Sequence, residues 1–140
     1  MAGAKLMKIF VDTAAWCALY DRNDTYHPEA TSFLKELVGR ELRLVTSDYV
    51  IDETLTLLRF RAGHREVVRF GGWILQSDLV IVVEVAAEVR HRAWDIFVKY
   101  VDKDLSFTDC TSVAIMQERG MTNAFTFDDH FRQLGFVMSP

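Results

Sequence analysis

Four acidic residues stand where the surrounding sequence predicts the end of a buried strand or the inward side of a helix; they are Asp12, Glu53, Asp109 and Asp128. If the strands are parallel, their carboxyl ends meet at one edge of the sheet, and the four side chains converge there. Two carboxylates about 5 Å apart repel by roughly 3 kcal/mol at an effective dielectric constant of 20. Such a cluster therefore needs protons or cations to neutralise it.

A hard divalent cation is the simplest neutralising partner for a group of oxygen ligands. Mg²⁺ binds through one or two carboxylates, keeps several waters and takes phosphate oxygens as further ligands, and Mn²⁺ is chemically close to it. A site of this kind activates water against a phosphodiester and neutralises charge as the leaving group departs. The sequence thus predicts a Mg²⁺ or Mn²⁺ site with hydrolytic chemistry.

Asp109 allows a second interpretation, because the segment around it has the pattern of a helix start. Ser106 lies three residues ahead of Asp109 and an apolar run follows, which is a capping-box signature. In the resulting helix, Asp109 shares a face with Val113 and Met116. Either Asp109 only complements the positive end of the helix, or it joins the other acids in one site.

Glu53 also has two interpretations. It lies on a predicted helix, on one stripe with Val50, Leu57 and Phe60. A carboxylate among core-facing neighbours needs a partner. That partner is either an arginine in an ordinary ion pair or a bound metal and its water.

The elements that position these acids alternate between strand and helix. Apolar and β-branched runs predict strands at 7–11, 42–45, 79–83 and 121–125, with an added edge strand at 136–137. The strands at 7–11 and 79–83 are expected to be buried. Periodicity and end signals predict helices at 13–20, 28–38, 48–62, 64–76, 86–101 and 106–120, and a last short helix after residue 128. This alternation predicts an α/β fold with a mainly parallel central sheet of four to five strands flanked by helices.

Length and composition limit the fold and the function. The 140 residues, half of them hydrophobic, suffice for one buried core, so we expect a single domain over 1–140 in which 1–6 form an N-terminal extension. No apolar run approaches the roughly 20 residues that cross a bilayer, and we expect a cytoplasmic protein without membrane contact. The formal charge of −4 argues against binding nucleic acid by bulk positive charge, but not against a nuclease whose acids are neutralised by metal.

The chain resembles PIN-domain proteins, and most closely the VapC toxins of bacterial and archaeal toxin–antitoxin pairs. The resemblance extends over nearly the whole chain and rests on segments 9–13 (IFVDT), 52–54 (DET), 105–109 (LSFTD) and 126–131 (TFDDHF). It implies a PIN-like three-layer sandwich and a Mg²⁺- or Mn²⁺-dependent endoribonuclease. In that enzyme the catalytic, metal-binding acids are Asp12, Glu53, Asp109 and Asp128.

The resemblance also implies neighbours and partners for the acids. Ala14 stands where many relatives have Ser or Asn, so we expect Thr13 or Thr126 to orient Asp12 instead. The residues expected to support the acids are Thr13, Thr108 and Thr126. The expected partners are an RNA substrate (tRNA, rRNA or mRNA), a cognate VapB-like antitoxin whose C-terminal segment fills the site, and a second copy of the chain in a homodimer.

A basic concentration lies near a helix junction and includes Arg59, Arg61 and Arg65. It is suited to RNA phosphates or to an acidic antitoxin segment, and equally to a solvated helix surface. Two other functions stay open: a PIN nuclease of RNA maturation or decay without an antitoxin, and a non-catalytic binding module whose acids only cap helices. A melting temperature that rises with Mg²⁺ or Mn²⁺ separates the enzymes from the binding module.

Overall fold

The computed structural model describes residues 6–140, which form five strands and seven helices. The strands are β1 (Met7–Val11), β2 (Leu42–Ser47), β3 (Val80–Val83), β4 (Asn123–Phe125) and β5 (Val137–Ser139). The helices are α1 (Thr13–Tyr20), α2 (His27–Leu37), α3 (Asp48–Arg61), α4 (His64–Gln76), α5 (Ala87–Lys99), α6 (Phe107–Glu118) and α7 (His130–Gln133). Every predicted element is present, and the predicted extension 1–6 lies outside the described residues except for Leu6.

The five strands form one sheet in the order β3-β2-β1-β4-β5, and all neighbouring pairs are parallel. The chain moves outward from β1 to β3 and then returns to the other side of β1. Right-handed crossovers therefore place α1 to α4 on one face and α5 to α7 on the other. Contacts of α1 with α3 and of α5 with α6 agree with this arrangement. The predicted three-layer sandwich is confirmed, and its sheet is wholly parallel.

The carboxyl half of the central strand β1 and the middle of helix α6 are buried, so both elements are rigid supports beside the carboxyl edge of the sheet. Phe10 and Val11 of β1 are fully buried, as expected for a parallel strand covered on both faces. All residues of α6 from Cys110 to Met116 are buried. Between residues 6 and 140, no helix is both long and apolar enough to span a membrane.

Two predictions of burial are wrong. The run that becomes β3 was expected to be a buried strand, but β3 is a partly exposed edge strand. Phe60 was expected on the inward stripe of α3, yet it is 84% exposed. The buried residues of that helix are Val50, Thr54 and Leu58, so the stripe follows a four-residue spacing. Glu53 accordingly lies at the border of this stripe and is half-buried.

Candidate functional site

The four acids predicted from the sequence converge at the carboxyl edge of the sheet. Asp12 follows β1, Asp128 lies shortly after β4, Glu53 belongs to α3 and Asp109 opens α6. Strands β1 and β4 end level with each other, because Val11 is paired with Phe125. All four acids line one open pocket of about 340 Å³, called here the acidic pocket. The parallel topology therefore produces the expected cluster.

Asp12 is buried, with 2% of its surface exposed. Its backbone N–H donates to the carbonyl of Phe125 at 3.1 Å, and its Oδ2 accepts from the Thr126 hydroxyl at 3.0 Å. Its Oδ1 is buried and has no hydrogen-bond partner among residues 6–140. Burial, together with the nearby charge of Asp109, raises the pKa of Asp12 to about 7, although the Thr13 backbone N–H and the Thr126 hydroxyl act in the opposite direction. An orphaned carboxylate oxygen beside other acids is suited to a cation.

Asp109 both caps a helix and lines the acidic pocket. The Ser106 backbone N–H donates to Asp109 Oδ2 at 3.0 Å, and the Asp109 N–H donates to the Ser106 hydroxyl at 3.0 Å. The predicted capping box is thus present. Burial raises the pKa of Asp109, and the charges of Asp128 and Glu53 act in the same direction. The two interpretations of this residue therefore hold together, because only one carboxylate oxygen is occupied by the cap.

Asp128 lies beside a histidine that the sequence had not marked as a ligand. His130 Nδ1 is 2.9 Å from Asp128 Oδ1, and the His130 backbone N–H donates to the same oxygen at 3.0 Å. One ligand atom from each of Asp109, Asp128 and His130 lies within 4.8 Å of the others. In the sequence, this pair could have been found from the two-residue spacing of Asp128 and His130 in one turn. That spacing differs from the pattern of two histidines four residues apart on one helix, which is typical of zinc sites.

The three threonines expected to support the acids differ in their positions. The Thr126 hydroxyl donates to Asp12 and accepts from the Asp128 N–H at 3.0 Å, so one buried group bridges two acids. The Thr13 hydroxyl is buried without a partner in the described part of the chain, and Thr13 lines the acidic pocket beside Ala14. Thr108 lines a different hollow from the acids, and its support of them stays a prediction.

Glu53 lines the acidic pocket without an arginine bound to it. Within residues 6–140, Glu53 forms no ion pair, although Arg61 lines the same pocket. Arg61 and Arg65 also line an adjoining hollow, whereas Arg59 lines neither cavity. Of these three arginines, only Arg61 therefore faces the acids.

The donor set of the acidic pocket fits a hard divalent cation. It offers the orphaned Oδ1 of Asp12, the uncapped oxygen of Asp109 and the carboxylates of Asp128 and Glu53. Cys17 also lines the pocket, but burial raises the pKa of its thiol to about 11. The thiol stays protonated near neutral pH, so oxygen ligands dominate. This composition is typical of Mg²⁺ and Mn²⁺ sites.

Comparison with known proteins gives close relatives along nearly the whole chain. The 23S rRNA-specific endonuclease VapC20 of Mycobacterium tuberculosis is 40% identical over 130 residues, which cover 92% of this chain and 95% of that protein. The crystal structure of VapC20, described as a sarcin-ricin loop cleaving toxin, matches with a TM-score of 0.85 and 37% identity over 92% of this chain and 96% of that one. Both the sequence and the fold of this chain are thus similar to those of VapC20.

More distant relatives share the same architecture. A VapC ribonuclease of Archaeoglobus fulgidus is 24% identical over 127 residues, covering 89% of this chain and 80% of that protein. VapBC2 from Rickettsia felis, solved with a fragment of promoter DNA, matches with a TM-score of 0.71 at 10% identity over 95% of this chain and 98% of that one. At that identity the likeness shows the fold alone. The family model described as PIN domain matches residues 9–137, and the chain belongs to the PIN-domain family.

Proposed function

We propose that the protein is a VapC-type endoribonuclease that hydrolyses RNA phosphodiester bonds with Mg²⁺ or Mn²⁺ and acts as the toxin of a toxin–antitoxin pair. The observation that carries the metal dependence is the buried Oδ1 of Asp12, which has no protein partner within residues 6–140 and lies in a pocket lined by three further acids. The 40% identity to the VapC20 endonuclease supports RNA cleavage. The same identity favours ribosomal RNA over tRNA or mRNA as the substrate.

The metal is held by Asp12, Asp109 and Asp128, and Glu53 completes the site or orients a water. A bound Mg²⁺ or Mn²⁺ supplies Lewis-acid stabilisation of the phosphodiester and lowers the pKa of an attacking water. The chain itself supplies rigid placement of the ligands. Thr126 fixes Asp12 and reaches the Asp128 backbone through one hydroxyl.

Two neighbours place the remaining ligands. The two hydrogen bonds with Ser106 hold the Asp109 carboxylate against the start of α6. The His130 backbone N–H donates to Asp128 Oδ1 and orients that carboxylate, while the imidazole Nδ1 lies 2.9 Å from the same oxygen and has no hydrogen-bond partner among residues 6–140. Because hydrogen-bonded supports of this kind usually change metal affinity or activity 10- to 100-fold when they are removed, these neighbours belong to the working site.

The proposed protein partners are a VapB-like antitoxin and a second copy of the chain. Support for the antitoxin comes from VapC20, which is described as a toxin. The acidic pocket is open to solvent beside Arg61, so an inhibitory segment can enter it. A nuclease of RNA maturation or decay is the second candidate function, because the same acids serve both, and the presence of a co-expressed inhibitor distinguishes them.

The test is cleavage of separate ribosomal RNA, tRNA and mRNA samples by the purified protein in Mg²⁺, in Mn²⁺ and in EDTA, with the new ends mapped by primer extension. We expect discrete cuts in 23S rRNA with either metal and none in EDTA. If metal raises the melting temperature but no RNA is cut, the metal site is real and the choice of substrate is wrong. If the melting temperature also stays constant, the acids only cap helices and the metal site is refuted.

A further inference from the structure

A second cavity adjoins the acidic pocket and is basic. This basic hollow has a volume of about 240 Å³, and its lining includes Arg22 after α1, Arg61 at the end of α3 and Arg65 near the start of α4. Arg61 lines the acidic pocket as well. The two cavities therefore share the Arg61 side chain as part of their walls.

The charges of these three arginines are largely uncompensated. Within residues 6–140 none of the three forms an ion pair or a side-chain hydrogen bond. Two acids also line the hollow, but Glu66 is paired with Arg69 at 2.6 Å. Asp21 is buried and its Oδ1 accepts from the Asn23 backbone N–H at 3.0 Å. The hollow thus presents more positive than negative charge to solvent.

A basic surface beside the acidic pocket is needed if this negatively charged chain is to bind RNA, which is a polyanion. The chain carries a formal charge of −4, and its acidic pocket repels a polyanion until metal binds. Guanidinium groups bind phosphate through paired N–H donors. If an RNA strand with a phosphodiester in the acidic pocket passes Arg61, its neighbouring phosphate meets arginines instead of carboxylates.

We propose that the basic hollow binds an RNA backbone phosphate next to the cleaved bond, with Arg22 and Arg65 as its contacts and Arg61 at the passage between the cavities. This assignment rests on the proposed endoribonuclease function. It favours RNA over an acidic protein segment, because a segment that crosses both cavities brings carboxylates against Asp12, Asp109 and Asp128. An RNA strand brings phosphate oxygens, which suit both the metal and the arginines.

The test combines binding and cleavage. Binding of a fluorescent single-stranded RNA is measured in EDTA over a series of salt concentrations, and KM and kcat are measured with Mg²⁺. The variants are Arg22→Gln with Arg65→Gln, and Arg65→Lys, which keeps the charge. Arg119→Gln, an exposed arginine just beyond the far end of α6, is the matched control.

We expect the double variant to bind RNA about tenfold more weakly for each arginine lost, with a raised KM and an unchanged kcat. The slope of log affinity against log salt concentration should fall in magnitude by about 0.7, since the hollow binds one phosphate and each neutralised phosphate contributes about 0.7 on a single strand. Arg65→Lys should keep the wild-type slope, and Arg119→Gln should leave slope and KM unchanged.

Three results overturn the assignment, and they differ in what else they refute. If the double variant keeps the wild-type slope while the wild type cleaves RNA, only the phosphate subsite is wrong. If the wild type cleaves no RNA with metal, the proposed function fails, and the assignment of the hollow to its substrate fails with it. If a polyglutamate peptide displaces the RNA, and its own binding is lost in the double variant, the hollow is a protein-binding surface.

Discussion

Replacing Asp12 by Asn is expected to stabilise the metal-free protein at pH 8 and to abolish cleavage. The reason lies in the cost of holding a buried negative charge beside other acids. Burial and the charge of Asp109 raise the pKa of Asp12 from 3.8 to about 7. In the absence of metal, the ionised carboxylate therefore destabilises the native fold. A neutral amide of the same shape removes this electrostatic cost.

The size of the stabilisation follows from the pKa values of Asp12 in the unfolded and in the folded protein. The difference between 3.8 and about 7, at 1.36 kcal/mol for each pH unit, sets the cost of the charge at about 4 kcal/mol when both states are ionised. The amide carbonyl of the variant can accept from Thr126, but its amide nitrogen takes the place of the orphaned Oδ1. That unsatisfied donor costs about 1–3 kcal/mol. We expect a net stabilisation of about 1–3 kcal/mol at pH 8.

The sign of the pH dependence is part of the prediction. Because the pKa of Asp12 is higher in the folded than in the unfolded protein, the folded state binds more protons between about pH 4 and 7, and stability falls as the pH rises through this window. The Asp12→Asn variant lacks this fall. The difference in free energy of unfolding between Asp12→Asn and the wild type should therefore decrease by about 2 kcal/mol or more when the pH is lowered from 8 to 5.

The assay is urea unfolding in EDTA at pH 5 and pH 8, repeated at pH 8 with Mg²⁺ at about 100 times its dissociation constant. Metal should stabilise the wild type by about 2.7 kcal/mol and leave Asp12→Asn unchanged. Asp95→Asn, at an exposed position of α5, is the matched control and should show none of these effects. An Asp12→Asn protein that is less stable than the wild type at pH 8 in EDTA would refute the reasoning.

Two further substitutions test the groups that place the acids. Thr126→Val removes the hydroxyl that bridges Asp12 and the Asp128 backbone and should lower metal affinity about 10- to 100-fold in calorimetric titration; Thr126→Ser should keep the affinity, and equal losses in both would contradict a hydrogen-bonding role. Ser106→Ala removes the side-chain half of the α6 cap and should cost about 1 kcal/mol in urea unfolding. It should also slow cleavage, because Asp109 is less firmly placed, and an unchanged rate would show that the cap is structural only.

Much of the fold and of the acidic site was predictable from the sequence, because the local patterns of strands, helices and caps agree with the parallel sheet that they form. The run 7–11 forms β1 with the predicted bounds, and the alternation of strands and helices yields the parallel sheet. Asp12 and Asp128 could be assigned to one edge because each follows a strand and parallel strands end together. The capping box of Ser106 and Asp109 was also recognisable, since it depends on a three-residue spacing alone.

Other features depend on packing that no local pattern records. Phe60 belongs to an apolar stripe in the sequence, yet the helix turns it toward solvent because the buried row passes through Thr54. The proximity of His130 to Asp109 arises from a turn after β4 that meets the start of α6. The joining of Arg22 to Arg65 around one hollow likewise needs the relative positions of α1 and α4.

The most direct test of the central claim is cleavage of ribosomal RNA by Asp109→Asn beside the wild type and the Asp95→Asn control, in Mg²⁺ and in EDTA. The amide carbonyl introduced by Asp109→Asn can still accept from the Ser106 N–H, so the helix cap is kept while a charged ligand is lost. We predict that Asp109→Asn remains folded and cleaves at least about 100-fold more slowly, that Asp95→Asn matches the wild type, and that EDTA stops all cleavage. A folded Asp109→Asn protein that cleaves at the wild-type rate would contradict the metal-dependent acidic site.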